Sequence, residues 1–145
     1  MDFFKERNYS DAAAAGIIGN LIAEGRNLKP DQKQISGGPG RGILQWTKHQ
    51  RWASLQKWAH GRDLNPRHFK TQIAYIHHEL KAYDSRGEID LKAYKASDDI
   101  EQATEMLMFK YVRPGTPRLD KRVEGARSAL HVVGSPMANI NINNY

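Results

Sequence analysis

The stretch SDAAAAGIIGNLIAEG, Ser10 to Gly25, followed by GGPGRGILQW, Gly37 to Trp46, decides the reading of this chain. The first piece predicts a helix. Ser10 is placed to cap it, Asp11 lies in the first turn where the helix dipole favours an acid, and Gly25 suits the C′ stop. At about 100° per residue, Ala14, Ile17, Ile18 and Leu21 form a buried stripe, and Glu24 falls at its edge. A carboxyl in that position is half buried. Desolvation disfavours its ionised form, so it can hold a proton near neutral pH and pass it to a leaving oxygen, which is the work of a general acid. The plainer alternative is a helix-terminal charge paired with Arg26 or Arg41.

The second piece changes the balance. Gly37 to Gly42 holds four glycines and a proline, which predicts a tight, backbone-exposing turn, and Ile43, Leu44 and Trp46 continue as a short extended run with Gln45 among apolar neighbours. A small β-hairpin is expected around residues 36 to 46. Helix, loop and hairpin together would form a cleft with a proton donor on one wall and sugar-binding groups on the other.

The remaining chain reads as helices joined by polar turns. Arg51 to Ala59 carries Trp52, Leu55 and Trp58 at helical spacing, which suits core or cleft wall. Phe69, Ile73, Ile76 and Leu80 mark Phe69 to Ala82 as the expected central buried helix. Glu79 on that helix is either a second buried acid or, the favoured reading, a charge paired with an arginine inside the bundle. His77 and His78 point about 100° apart on a helix and do not form the i, i+4 pair of a zinc hydrolase, so no metal is expected. Asp98 and Glu101 have the spacing of a capping box. The helix they open presents Ile100, Ala103, Leu107 and Tyr111 and stops before Pro114. Asp120 to Val133 forms a last amphipathic helix through Val123, Ala126, Leu130 and Val133. After it the chain becomes Asn-rich, which predicts a catalytic-type domain over residues 1–133 and a flexible tail over 134–145.

A chain of 145 residues with 39% hydrophobic content can bury one core. It has no apolar run long enough to span a bilayer, and charges interrupt the apolar patch of MDFFKERNYS, so no signal peptide is expected. The absence of cysteine excludes disulfides and thiolate metal sites. The excess of 22 Lys and Arg over 16 Asp and Glu gives a net charge of +6, which favours anionic partners such as bacterial envelopes. The basic residues are scattered among acids rather than gathered on one stripe, and no nucleic-acid motif accompanies them, so nucleic acid is not expected as a partner.

GIIGNLIAEG, KPD at Lys29 to Asp31, GGPGRGILQW, and FKYVRPGTPRLDKRVEGARSAL at Phe109 to Leu130, in that order, resemble the phage tail lysozyme family of the lysozyme superfamily. The resemblance covers about residues 9 to 132. Gly25 and Arg26 stand where the family usually has a Ser-Gly pair. The resemblance implies a mainly α-helical, lysozyme-like fold of five to seven helices with the small β-hairpin beside the cleft. It implies peptidoglycan as substrate, cut at the β-1,4 bond between N-acetylmuramic acid and N-acetylglucosamine, with no cofactor. It places the catalytic acid on Glu24 and substrate-binding or cleft-shaping roles on Gln45, Trp46 and Tyr111. Asp31, just past Pro30, is the candidate nucleophile or water-orienting base. Without a second carboxylate the sugar's own hydroxyl would attack, as in a lytic transglycosylase. A non-catalytic, basic envelope- or nucleic-acid-binding module is the alternative from another class. The protein is expected as a monomer, alone or within a virion, acting on the cell wall after release from the host cytoplasm or from the particle.

Overall fold

The computed structural model describes residues 2–24, 40–47 and 50–131. In chain order its helices are α1 (Asp2–Lys5), α2 (Asp11–Glu24), α3 (Arg51–His60), α4 (Phe69–Ser85), α5 (Leu91–Lys95), α6 (Ile100–Leu107) and α7 (Leu119–His131), with a π-helical turn at Met108–Val112. The fold is mainly helical, as expected. Extended structure among the described residues is limited to β1 (Gly40–Arg41) and β2 (Trp46–Thr47), paired antiparallel with Gly40 opposite Thr47 and Arg41 opposite Trp46. Residues 36–39 of the expected hairpin, and the tail over 134–145, lie outside the described residues.

The centre of the molecule is α2 and not α4, which corrects the expectation from periodicity. Every residue from Ala12 to Leu21 is buried, because this run contains no charge and a helix that is apolar all round is covered all round. Its small residues let other helices approach to backbone contact. A Cβ added at Gly19 would lie 2.6 Å from the Ala126 nitrogen, and one at Gly125 would lie 3.3 Å from Gly19 Cα. At Gly16 an added Cβ would lie 3.2 Å from backbone atoms of Ala103 and Thr104. Thus α7 and α6 lie directly on α2, and any larger side chain at these crossings forces a shift.

The caps follow local chemistry with one adjustment. Ser10 Oγ accepts from the Ala13 N–H at 3.1 Å and donates to the Ser97 carbonyl at 2.6 Å, so it caps α2 and ties it to the α5–α6 turn. Asp99, one residue after the expected position, caps α6 by accepting from the Gln102 N–H at 3.0 Å. On α7 the buried face is Arg122, Gly125, Ala126 and Ala129, while Val123 is half-buried and Leu130 exposed. The expected stripe through Val123 and Leu130 is therefore rotated, because small residues, not large ones, fit the close crossing with α2.

Candidate active site

Glu24 is the last residue of α2. Its side chain is 17% exposed, and its Oε1 accepts from Arg122 Nη2 at 2.8 Å. Among the described residues the arginine paired with Glu24 comes from α7, brought there by the Gly19–Gly125 crossing, while Arg26 lies outside the described residues. Arg122 is itself held. Its Nε donates to the Pro117 carbonyl at 2.6 Å and its Nη1 to Asn20 Oδ1 at 3.3 Å. Asn20 is fixed in turn, its amide donating to the Gly16 carbonyl at 2.8 Å and the Thr104 carbonyl at 3.2 Å. Glu24 therefore sits against a guanidinium anchored in the core rather than against an apolar wall.

The turn between β1 and β2 is built on α4. Gly42 has φ +76°, and a Cβ there would lie 2.9 Å from Gln72 Oε1 and 3.1 Å from the Trp46 ring, so both the backbone angle and the space require glycine. Gln72 Oε1 accepts from the Ile43 N–H at 3.0 Å, and its amide donates to the Pro66 carbonyl at 2.9 Å. Two helical turns along α4, Glu79 Oε1 accepts from Trp46 Nε1 at 2.9 Å, Tyr111 OH at 2.6 Å and Arg51 Nη2 at 3.1 Å. Burial, reinforced by the neighbouring Glu79 carboxylate, pushes the Tyr111 phenol well above its ordinary range, so it stays protonated and remains a donor. The favoured reading of Glu79, a carboxylate paired with an arginine inside the bundle, describes this arrangement.

Of the residues singled out from sequence, Gln45 lies in the turn with φ +53° and is half-buried. Its side-chain amide donates to the Gly42 carbonyl at 2.8 Å. Trp46 and Tyr111 are both fully buried and converge on Glu79. Neither ring is exposed to offer a face on which a sugar can stack in this arrangement. The π turn contributes to this: it brings Met108 and Tyr111 inward and leaves Phe109 exposed. Asp31 lies outside the described residues. Sequence reasoning missed Arg122, Arg51 and Gln72. The available signals were the small residues Gly125, Ala126 and Ala129 at helical spacing after Arg122, and the two-turn spacing of Gln72 and Glu79 on the apolar face of α4.

His77 and His78 are engaged elsewhere. Tyr9 OH lies 2.9 Å from His77 Nδ1, and His78 packs 5.4 Å from Trp58 and 5.6 Å from Tyr75 between ring centroids. Among the described residues no group of three or more His, Asp or Glu side chains is placed to hold a metal ion, and no helix is long and apolar enough to cross a membrane.

No curated protein matches the chain. A family model described as Phage tail lysozyme matches residues 1–132, which include the seven described α-helices and the Glu24–Arg122 and Glu79–Arg51 pairs. The resemblance carried by the Glu24 helix, the Gly-rich turn and the segment leading into α7 is thereby established: the chain belongs to the phage tail lysozyme family and is a lysozyme-like enzyme acting on peptidoglycan.

Proposed function

We propose that the protein is a muramidase of bacteriophage origin, cleaving the β-1,4 bond between N-acetylmuramic acid and N-acetylglucosamine with Glu24 as general acid. The observation that carries this reading is the placement of Glu24: a carboxylate on the last residue of the central helix, partly exposed, with one oxygen held by the buried side chain of Arg122. A group that delivers a proton must be both accessible and fixed, and Glu24 is both. Gln45, on the turn that Gln72 and Glu79 brace, is the candidate for contacting an acetamido group. Trp46 and Tyr111 shape that wall from the interior. Peptidoglycan suits the net positive charge, and a virion-borne enzyme acting on the cell wall suits the family.

Asp31 is the proposed second carboxylate, acting as nucleophile or as the base that orients water. Hydrolysis needs both groups. Asp31→Asn should then lower turnover by a factor comparable with loss of Glu24, about 10² or more, with little change in melting temperature. Near-normal turnover removes Asp31 from the mechanism. Mass spectrometry of muropeptides released from purified sacculi tests the reaction itself. Reducing-end muramic acid is the expected product; 1,6-anhydro ends, lighter by one water, would replace the hydrolase with a lytic transglycosylase. Binding to sacculi with no released muropeptide would leave only a basic wall-binding module.

A further inference from the structure

We infer that Arg122 is a positioning residue for the reaction, orienting the Glu24 carboxyl so that Oε2 is the oxygen exchanging the proton with substrate; this rests on the proposed role of Glu24. The Arg122 side chain is nearly inaccessible, at 4% exposure, while the Glu24 side chain it holds is 17% exposed. The guanidinium's donors are divided among three residues, two of them on α2. Nε is bound to the Pro117 carbonyl just before α7, Nη1 to Asn20 on α2, and Nη2 to Glu24 Oε1 at 2.8 Å. A planar fork fixed at two of its nitrogens has little freedom left at the third, so the bond to Glu24 sets the orientation of the carboxyl plane as well as attracting its charge. With Oε1 committed to Arg122, and Oε2 taking no bond from any described residue, the two oxygens of Glu24 have different tasks.

Lysine at this position keeps the charge but presents a single ammonium, which cannot reproduce the planar fork. The test uses the full chain on purified sacculi, well below each variant's melting temperature, with apparent kcat and KM measured for Arg122→Lys, Glu24→Gln and the double variant. Arg122→Lys should lower kcat by about tenfold or more, the scale expected when a reacting group is slightly misplaced, with KM within about twofold. In the Glu24→Gln background the same change should cost nothing further, because its effect passes through Glu24. Should Arg122→Lys fail to fold, Asn20→Ser removes one anchor of the guanidinium and should give a smaller kcat loss that likewise vanishes in the Glu24→Gln background. Wild-type kcat in the folded variant overturns the inference and leaves Glu24 in place, as does an equal fractional loss in both backgrounds, the mark of a purely structural arginine. Wild-type turnover in Glu24→Gln alone overturns the reading of Glu24, and this inference with it.

Discussion

Among the described residues two carboxylate–arginine pairs are partly buried, and they are built in opposite senses. In Glu24–Arg122 the arginine is the inner partner, 4% exposed against 17% for the carboxylate. In Glu79–Arg51 the carboxylate is the inner partner, 9% exposed against 22% for the arginine. Glu79 uses its capacity on Trp46, Tyr111 and Arg51, donors that come from β2, the π turn and α3. Such a carboxylate is a junction. Glu24 accepts from its arginine through one oxygen, and its side chain is the more exposed member of the pair. The difference teaches that burial of an acid does not by itself mark a reactive group: what matters is which member of the pair faces solvent and how many donors the acid already satisfies.

The largest effect expected from this contrast is at the junction. Glu79→Ala leaves the Tyr111 hydroxyl, the Trp46 indole and the Arg51 guanidinium without their common acceptor. Removing one partner of a buried charged network typically costs about 3–5 kcal/mol. Urea unfolding should register a loss of that order. A loss below about 1 kcal/mol would show that the three donors re-pair easily, breaking the distinction drawn between the two acids.

A second test acts on the support beneath the other pair. Gly19→Ala places a Cβ 2.6 Å from the Ala126 nitrogen and 2.7 Å from Ala126 Cβ, which forces α7 away from α2. Overpacking of this kind costs about 1–3 kcal/mol. Because α7 carries Arg122, turnover should fall along with melting temperature, whereas equally destabilising changes on the α3 side should leave turnover per folded molecule less affected. Unchanged stability and turnover would mean that the close crossing is not what positions the site.

The smallest effect separates both pairs from a third polar contact, on α4. Burial first, and then the charges of Lys95, Lys81, Arg7 and the neighbouring His78, lower the His77 pKa to about 4. The neutral ring then pairs with Tyr9, whose phenol is pushed up by burial and stays protonated. A histidine with its folded pKa below its unfolded value of about 6.5 contributes stability that is complete above that value. That contribution is lost as the pH falls toward 4, where the unfolded chain binds the extra proton. For a half-buried ring the amount is on the order of 1 kcal/mol after solvent screening. His77→Gln should flatten the stability profile between pH 6.5 and 4 by that much, read from melting temperatures across the range; an unchanged slope would assign the acid sensitivity elsewhere.

Much of this was legible in the residues. The charge-free run Ala12–Leu21 fixed the existence of α2, Ser10 its start, and the glycines of GGPGRG the tight turn whose Gly42 has a positive φ. Periodicity misplaced the centre because it rewards a helix with one apolar face, as α4 has, and gives no signal for a helix buried on every side. It also missed Arg122. An arginine on a helix reads as surface, and only the small residues one to two turns after it, with a partner helix that is equally small-sided, indicate that its side chain is drawn inward. Trp46 and Tyr111 showed aromatic character in sequence but not direction: their polar atoms find Glu79, so the rings turn into the core.

The central claim, that Glu24 performs the chemistry while Glu79 holds the structure, is tested most directly by measuring turnover on purified sacculi and melting temperature on Glu24→Gln and Glu79→Gln side by side. The amide keeps the size of each side chain and an acceptor for each arginine, but cannot serve as the acid. Glu24→Gln should lose at least about 10² in turnover with a modest drop in melting temperature from the weakened Arg122 pair, while Glu79→Gln should melt well below it and keep turnover per folded molecule within about tenfold of wild type. Full turnover in Glu24→Gln, or loss of chemistry in a fully stable Glu79→Gln, would contradict the account.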